Sequence, residues 1–254
     1  MRLAFGGALA LMVCACLAAG ASAAPSVSLR VAFDPDLAGR RTTVELALRI
    51  GGQGQETSSP VSSVALRLPG NMGLAGTTLG QANCQAADLM KSGLKGCSGN
   101  ARIGFGSASA VVPIGSQSVR ERATLDILLG PSSEDRLEVL WFVQAAEPVF
   151  GRLVLPSVVE EAGPPYGEEL ATTVPLVQAW PEGPDLALET LDSSIGPKGL
   201  TYHRQVGGKT IAYHPYGMRV PRVCPPGGYP FGALLNFQDG TKATALYRVP
   251  CPRR

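Results

Sequence analysis

Strict alternation of apolar and polar residues recurs along most of the chain. Residues 27–33 read V-S-L-R-V-A-F, and residues 42–50 carry Val44, Leu46, Leu48 and Ile50 on one face with Glu45, Ala47 and Arg49 on the other. A period of two is the signature of a half-buried β-strand. The same reading predicts strands over 62–68, 108–114, 118–129, 136–144, 149–155, 169–180, 186–191, 201–206 and 209–213, with Gly and Pro at the joints. Within 136–144, Leu137, Val139, Trp141 and Val143 share a face and Phe142 takes the other. Only residues 72–100 break the pattern. Their spacing of Leu89, Met90 and Leu94, with helix-compatible neighbours, predicts one short helix over 82–91.

The C-terminal stretch carries a register that can be derived. Two apolar runs flank Asp239-Gly240, a hairpin signal. A two-residue loop would set Phe237 and Leu235 opposite Lys242 and Thr244. A three-residue loop, Gln238-Asp239-Gly240, sets Leu235 opposite Ala243, Ala233 opposite Ala245 and Phe231 opposite Tyr247. Because a slip of one residue moves every side chain to the other face, the second register is expected, with Gly240 left-handed as a bulge. Cys251 then lies opposite Gly227, and Pro225-Pro226-Gly227-Gly228 must fold back to bring Cys224 to it. Gly207-Gly208 predicts a further hairpin, in which His203 faces Ala212.

Many short antiparallel strands separated by turns predict an all-β protein, an antiparallel β-sandwich-type architecture with its one helix near 82–91. Thirty-one Gly and 21 Pro exclude a helical fold, while 45% apolar residues supply a core. The organisation expected is one large domain over 24–254, with an alternative division into two packed sandwich subdomains near 180–185.

The first residues carry Arg2, an apolar run over 3–17 and Ala21-Ser22-Ala23. This is the pattern of a secretory signal peptide over 1–23, cleaved after Ala23. The run is shorter than the roughly 20 residues of a membrane span, so no span is expected after cleavage. Lipidation of Cys16 is the alternative processing. Cleavage leaves Cys84, Cys97, Cys224 and Cys251. An even set in an exported chain implies two disulfides, and proximity favours Cys84–Cys97 with Cys224–Cys251 among the three connectivities. Each would stabilise by about 3 kcal/mol. The expected location is secreted or cell envelope. Without a C-x-x-C pair or histidines at ligand spacing, no zinc site or other cofactor is expected. The cleaved chain has a net charge of +1 and no basic stripe, which argues against a nucleic-acid partner.

Candidate chemistry is sparse. Residues 34–39, D-P-D-L-A-G, lack the later ligands of a calcium loop and read as a turn. The I-G-F-G of 103–106 lacks the third glycine of a dinucleotide site. Glu160, Glu161, Glu168 and Glu169 read as a solvated acidic loop around G-P-P-Y-G. His203 and His214, beside Tyr202, Tyr213 and Tyr216, are the most site-like cluster, read first as sheet-surface residues. No nucleophile elbow, zincin helix or P-loop occurs. A glycosidase-type carboxylate pair converges only in space, which leaves Asp126, Glu138 and Glu147 open.

The motifs C-P-P-G-G-Y-P-F…F-Q-D-G-T…V-P-C-P, L-P-G-N-M-G with its following L-G…C…G-C-S…I-G-F-G-S-A over 68–108, and V-P…G-P-D-L-A-L-E over 174–189 run through most of the chain. In them the chain resembles a group of exported, uncharacterised, cysteine-containing β-rich proteins of high-GC actinobacteria. The resemblance implies export, a β-rich fold and the disulfide pairing, and no activity. Ser98 stands where that group more often has proline. Together these readings lead to an exported protein, non-catalytic and structural or binding, at the cell envelope or exterior. The alternative is an extracellular hydrolase or carbohydrate-binding protein. Intact-mass analysis of secreted protein checks the processing: the expected mass is that of residues 24–254, rising by about 4 Da when two cystines are reduced.

Overall fold

The computed structural model describes residues 25–51, 57–73, 78–114, 117–132, 136–147 and 150–252, and the statements below concern these. The signal segment, its cleavage site at Ala23 and Cys16 lie outside them.

The chain is mostly antiparallel β with one short helix. Its strands are β1 Ser26–Asp34, β2 Arg41–Gly51, β3 Val61–Pro69, β4 Arg102–Ile114, β5 Gln117–Leu129, β6 Leu137–Glu147, β7 Gly151–Glu161, β8 Tyr166–Thr173, β9 Ala187–Ile195, β10 Tyr202–Val206, β11 Lys209–Tyr213, β12 Met218–Arg219, β13 Tyr229–Phe237 and β14 Lys242–Val249. Eleven of them form one hydrogen-bonded path, β1-β2-β9-β4-β5-β6-β7-β8-β3-β13-β14; β12 adds to β2, and β10-β11 stand apart. The path curls until β1 and β14 lie side by side. Every rung along it is antiparallel. The result is a nearly closed barrel-like sheet.

That corrects the expected sandwich. Short antiparallel strands with tight turns serve either architecture. What decides is pairing between distant segments, β2 with β9, β9 with β4, β8 with β3 and β3 with β13. These leave a single seam, between β1 and β14, where two separate sheets would need two.

Alternation sends Val44, Leu48, Leu66, Ile127, Trp141, Ala233 and Leu235 inward, where they join one core. Outward positions such as Arg30, Arg49, Thr124, Arg67 and Arg248 are polar. No described helix is long and apolar enough to cross a membrane. An apolar patch of the outer wall at Leu128, Leu140, Phe142 and Val154 is covered. Its cover is α1, Ala86–Ser92, whose Leu89 is fully buried there. The Cys84–Cys97 disulfide (Cα–Cα 5.4 Å) pins this cover, and the Cys84 N–H donates to the Leu129 carbonyl. The helix begins at Ala86 rather than at 82: Gln85 is extended and the Cys84 N–H is bonded to the end of β5 at Leu129.

The C-terminal hairpin has the derived register: Leu235 faces Ala243, Ala233 faces Ala245 and Phe231 faces Tyr247. Gly240 is left-handed (φ +83°), and Gly227 and Gly228 turn the chain so that Cys224 bonds Cys251 at a Cα–Cα distance of 5.8 Å. Three other expectations shift. The strand expected over 169–180 ends at Thr173, after which residues 174–186 leave the sheet. Glu160, Glu161, Glu168 and Glu169 sit on paired rungs of β7 and β8 rather than in a loop. The I-G-F-G glycines lie within β4, which begins at Arg102.

Those glycines bend β4 against β9. A Cβ at Gly104 would stand 2.4 Å from the Ser194 carbonyl oxygen, and one at Gly106 would stand 2.0 Å from that of Asp192. Backbone cannot yield as a flexible side chain can, so both positions exclude a side chain. At Gly151, by contrast, a Cβ would meet nothing within 4 Å. Gly106→Ala is therefore expected to destabilise by about 1–3 kcal/mol. Gly151→Ala should change stability by less than about 0.5 kcal/mol. Urea unfolding of the two variants checks the contrast.

Candidate functional site: an apolar cavity at one end of the barrel

The two ends of the barrel differ. One end holds the starts of β2 and β4, and chain segments cross it carrying Met72, Leu79, Leu200, Tyr202, Met218, Val220 and Tyr229, all buried. Tyr202 is the central plug. Its hydroxyl accepts from the Gly80 N–H (2.9 Å) and donates to the Arg102 carbonyl (2.5 Å). Burial raises its pKa above the ordinary phenol range, and the Gly80 N–H opposes that shift.

The other end, at the β4–β5 and β6–β7 turns, is hollow. Ladder pairing places Ala108 opposite Ala123, Ala123 opposite Ala145 and Ala145 opposite Gly151. All four face inward, so one row across β4, β5, β6 and β7 carries almost no side chain. The next row inward, Leu125, Val143 and Leu153, is larger, and Trp141 and Leu155 form the floor. The space left is about 330 Å³ and is walled on the far side by Val64, Leu66, Leu188 and Leu191. This is the lower end of the range for small-molecule pockets. A dent on the outer wall between Ala32, Ala47, Phe105 and Ser194 is open to solvent rather than enclosed.

A strap of chain crosses the hollow end. Residues 174–186 connect β8 to β9, which are not neighbours, so the connection must pass over the mouth. It is held by the Val174 N–H on the Ser62 carbonyl (2.9 Å) and by its own narrow hairpin, Leu186 N–H to Val177 carbonyl (2.9 Å) and Gly183 N–H to Trp180 carbonyl (2.8 Å). Val174, Val177, Ala179 and Leu186 line the cavity from above. Large apolar residues stand exposed around this end: Phe150 at 85%, Leu176 at 53% and Trp180 at 46%.

Polar groups in the cavity are few. The Trp141 indole N–H donates to Ser157 Oγ (2.7 Å), and the Ser157 and Thr172 hydroxyls are themselves bonded, so the floor is satisfied. Gln178 belongs to the strap. Glu121 lies on the inward face of β5, opposite Ala110, and is 5% exposed. It is the one carboxylate side chain among the described lining residues.

The candidates read from sequence lie elsewhere. Asp126 and Glu138 face outward and do not meet: Asp126 is opposite Phe142, and the Glu138 carbonyl accepts from Gly130. The side chain of Glu147 lies outside the described residues. Trp141 is inward, as its alternation predicts. His203 faces Ala212 on the β10-β11 ribbon, while His214 Nδ1 lies 2.9 Å from the Leu200 carbonyl. Among the described residues no group of three His, Cys, Asp or Glu side chains could hold a metal. Asp34 pairs with Lys198, which also reaches Glu45, each at 2.8 Å. The cavity escaped the sequence reading because its signal is a coincidence of small residues on separate strands. Compared with family models, curated proteins and solved structures, the chain matches none.

Asp126 has a consequence for stability. Burial raises its carboxyl pKa, and Arg102 at 2.6 Å opposes the rise. A raised folded pKa means that the native state holds the proton longer than the unfolded chain. The resulting stability is complete below the unfolded value of about 3.9 and is lost as pH climbs through the folded value. The unfolding free energy of the parent minus that of Asp126→Asn should therefore fall from about pH 3.5 towards pH 7, the parent losing stability relative to the variant. A value that rises over that range would contradict this assignment.

Proposed function

We propose that this is an exported, non-catalytic binding protein of the cell exterior or envelope that holds an apolar small molecule in the hollow end of its barrel. The observation that carries the reading is the Ala108–Ala123–Ala145–Gly151 row and the apolar space it opens. Inward residues nearer the closed end, such as Ile127 and Val139, are fully buried. Those at the hollow end, such as Ala123, Val143, Leu153 and Leu188, are reachable by solvent although they face the core. An apolar surface kept wet inside a fold gains free energy from any apolar guest, at about 25 cal/mol per Å² covered. Binding is favoured over hydrolysis because a carboxylate pair is what glycosidase chemistry requires, and this lining supplies Glu121. Two disulfides are consistent with an extracytoplasmic protein. The signal-peptide pattern and the resemblance to exported actinobacterial proteins point the same way.

The test fills the row. Ala123→Leu and Ala145→Leu add bulk to an existing void and touch no hydrogen bond. Each is expected to weaken binding of the fluorescent probe N-phenyl-1-naphthylamine by about tenfold or more, with unfolding free energy within about 1 kcal/mol of the parent. Filled variants that bind the probe as tightly as the parent would refute the cavity as a binding site.

A further inference from the structure

The cavity's one carboxylate makes a statement about its guest. We infer that the hollow end selects an amphiphile whose polar end is an amine or another strong hydrogen-bond donor, and discriminates against one ending in a carboxylate. This rests on the binding reading above.

Glu121 shares its face of β5 with Ala123, Leu125 and Ile127, so its side chain points into the cavity. Ala110 opposite it and Ala123 beside it are small, and the carboxylate is not screened by bulk. It lies one rung towards the mouth from the alanine row. From Glu121 to Leu125 the wall runs about 13 Å along the strand and is otherwise apolar, with Trp141 and Leu155 on the floor beyond it. An apolar tail on the floor would thus bring its polar end to Glu121, beneath the strap. Arg152 is the other charged residue of the lining. It sits at an outward position of β7 and its guanidinium approaches Gly93 on the outer wall, so it brings no positive charge inside.

Glu121 already has an interaction of its own in the fold. A carboxylate accepts in about four lone-pair directions, so a carboxylate already engaged in the fold can still accept from a guest. In an apolar wall its charge rewards a cation or donor and penalises a second anion, because a bound apolar tail displaces the water that would screen either. The selectivity follows from the sign of one buried group.

The experiment is competition on the full cleaved chain with N-phenyl-1-naphthylamine as reporter and dodecylamine or dodecanoate as competitor, both below their micelle-forming concentrations. Dodecylamine should displace the reporter at least about tenfold more tightly, the size expected for a hydrogen bond to a charged group. Glu121→Gln keeps the shape and removes the charge; measured against its own reporter affinity, it should bring the two competitors within about threefold of each other. If the parent binds the reporter but dodecanoate competes as well as the amine, or if Glu121→Gln keeps the preference, the inference is overturned and the cavity reading stands. If the parent fails to bind the reporter at all, both fall. The comparison on the parent alone decides the question should the variant not fold.

Discussion

The fold depends on how its seam is closed. Eleven strands that alternate in direction cannot form a ring of antiparallel pairs, because the first and last then run the same way. β1 and β14 are those strands, and no ladder joins them among the described residues. Closure falls to side chains. Phe33 of β1 reaches across to Tyr229 (5.6 Å between ring centroids, edge-on) and Phe231 (5.9 Å) of β13. Aromatic pairs of this kind contribute about 0.5–1.5 kcal/mol each beyond the area they bury. The Tyr229 hydroxyl donates to the Pro221 carbonyl at 2.8 Å. That same segment holds β12 against β2 and then reaches Cys224, which is bonded to Cys251 just beyond β14. The disulfide thus links a segment anchored on β2 to the far edge of the sheet. It staples the ring as well as the hairpin.

Strand number then dictates the interior. About eight strands give a barrel that inward side chains can fill, and a larger ring leaves room. The chain uses that room in two ways. At one end, segments between strands pass through the ring and fill it, with Tyr202 satisfied on both sides of its hydroxyl by Gly80 and Arg102. At the other, the strands carry Ala and Gly and only the strap crosses. Filled and hollow ends are two answers to one geometric excess, and the difference lies in side-chain size at positions that share a rung.

The parts of this arrangement that rest on neighbours in sequence were legible beforehand. The register of 229–249 followed from matching apolar faces, and the bonded cysteines from proximity. The ribbon at Gly207-Gly208 followed from its turn residues, and the opposite faces of Trp141 and Phe142 from alternation. Closure was not legible, since β2–β9, β9–β4 and β8–β3 pairings join segments far apart in the chain and leave no mark on either partner alone. The cavity was invisible for the same reason. Ala108, Ala123, Ala145 and Gly151 are ordinary inward residues one at a time and become a site only when register aligns them. Glu121 hid similarly: among Arg120, Arg122 and other polar neighbours it reads as surface, although its parity with Ala123 and Leu125 places it inside.

Larger apolar side chains in any one of the three strands would reduce the void, and filling voids stabilises a core by roughly 20–25 cal/mol per Å³. Three strands carry alanine at the shared level, and the fourth begins there with glycine. Water in such a space finds few partners, since the floor hydroxyls and indole already bond one another. The free chain therefore carries an unfavourable, poorly solvated surface that a guest would relieve. A ligand taken up here would stabilise the folded barrel in proportion to the logarithm of its concentration over its dissociation constant. Because the strap's valines and Ala179 form the cavity roof, that stabilisation would extend to the 174–186 crossing and, through the Val174 bond to Ser62, to the β3 wall.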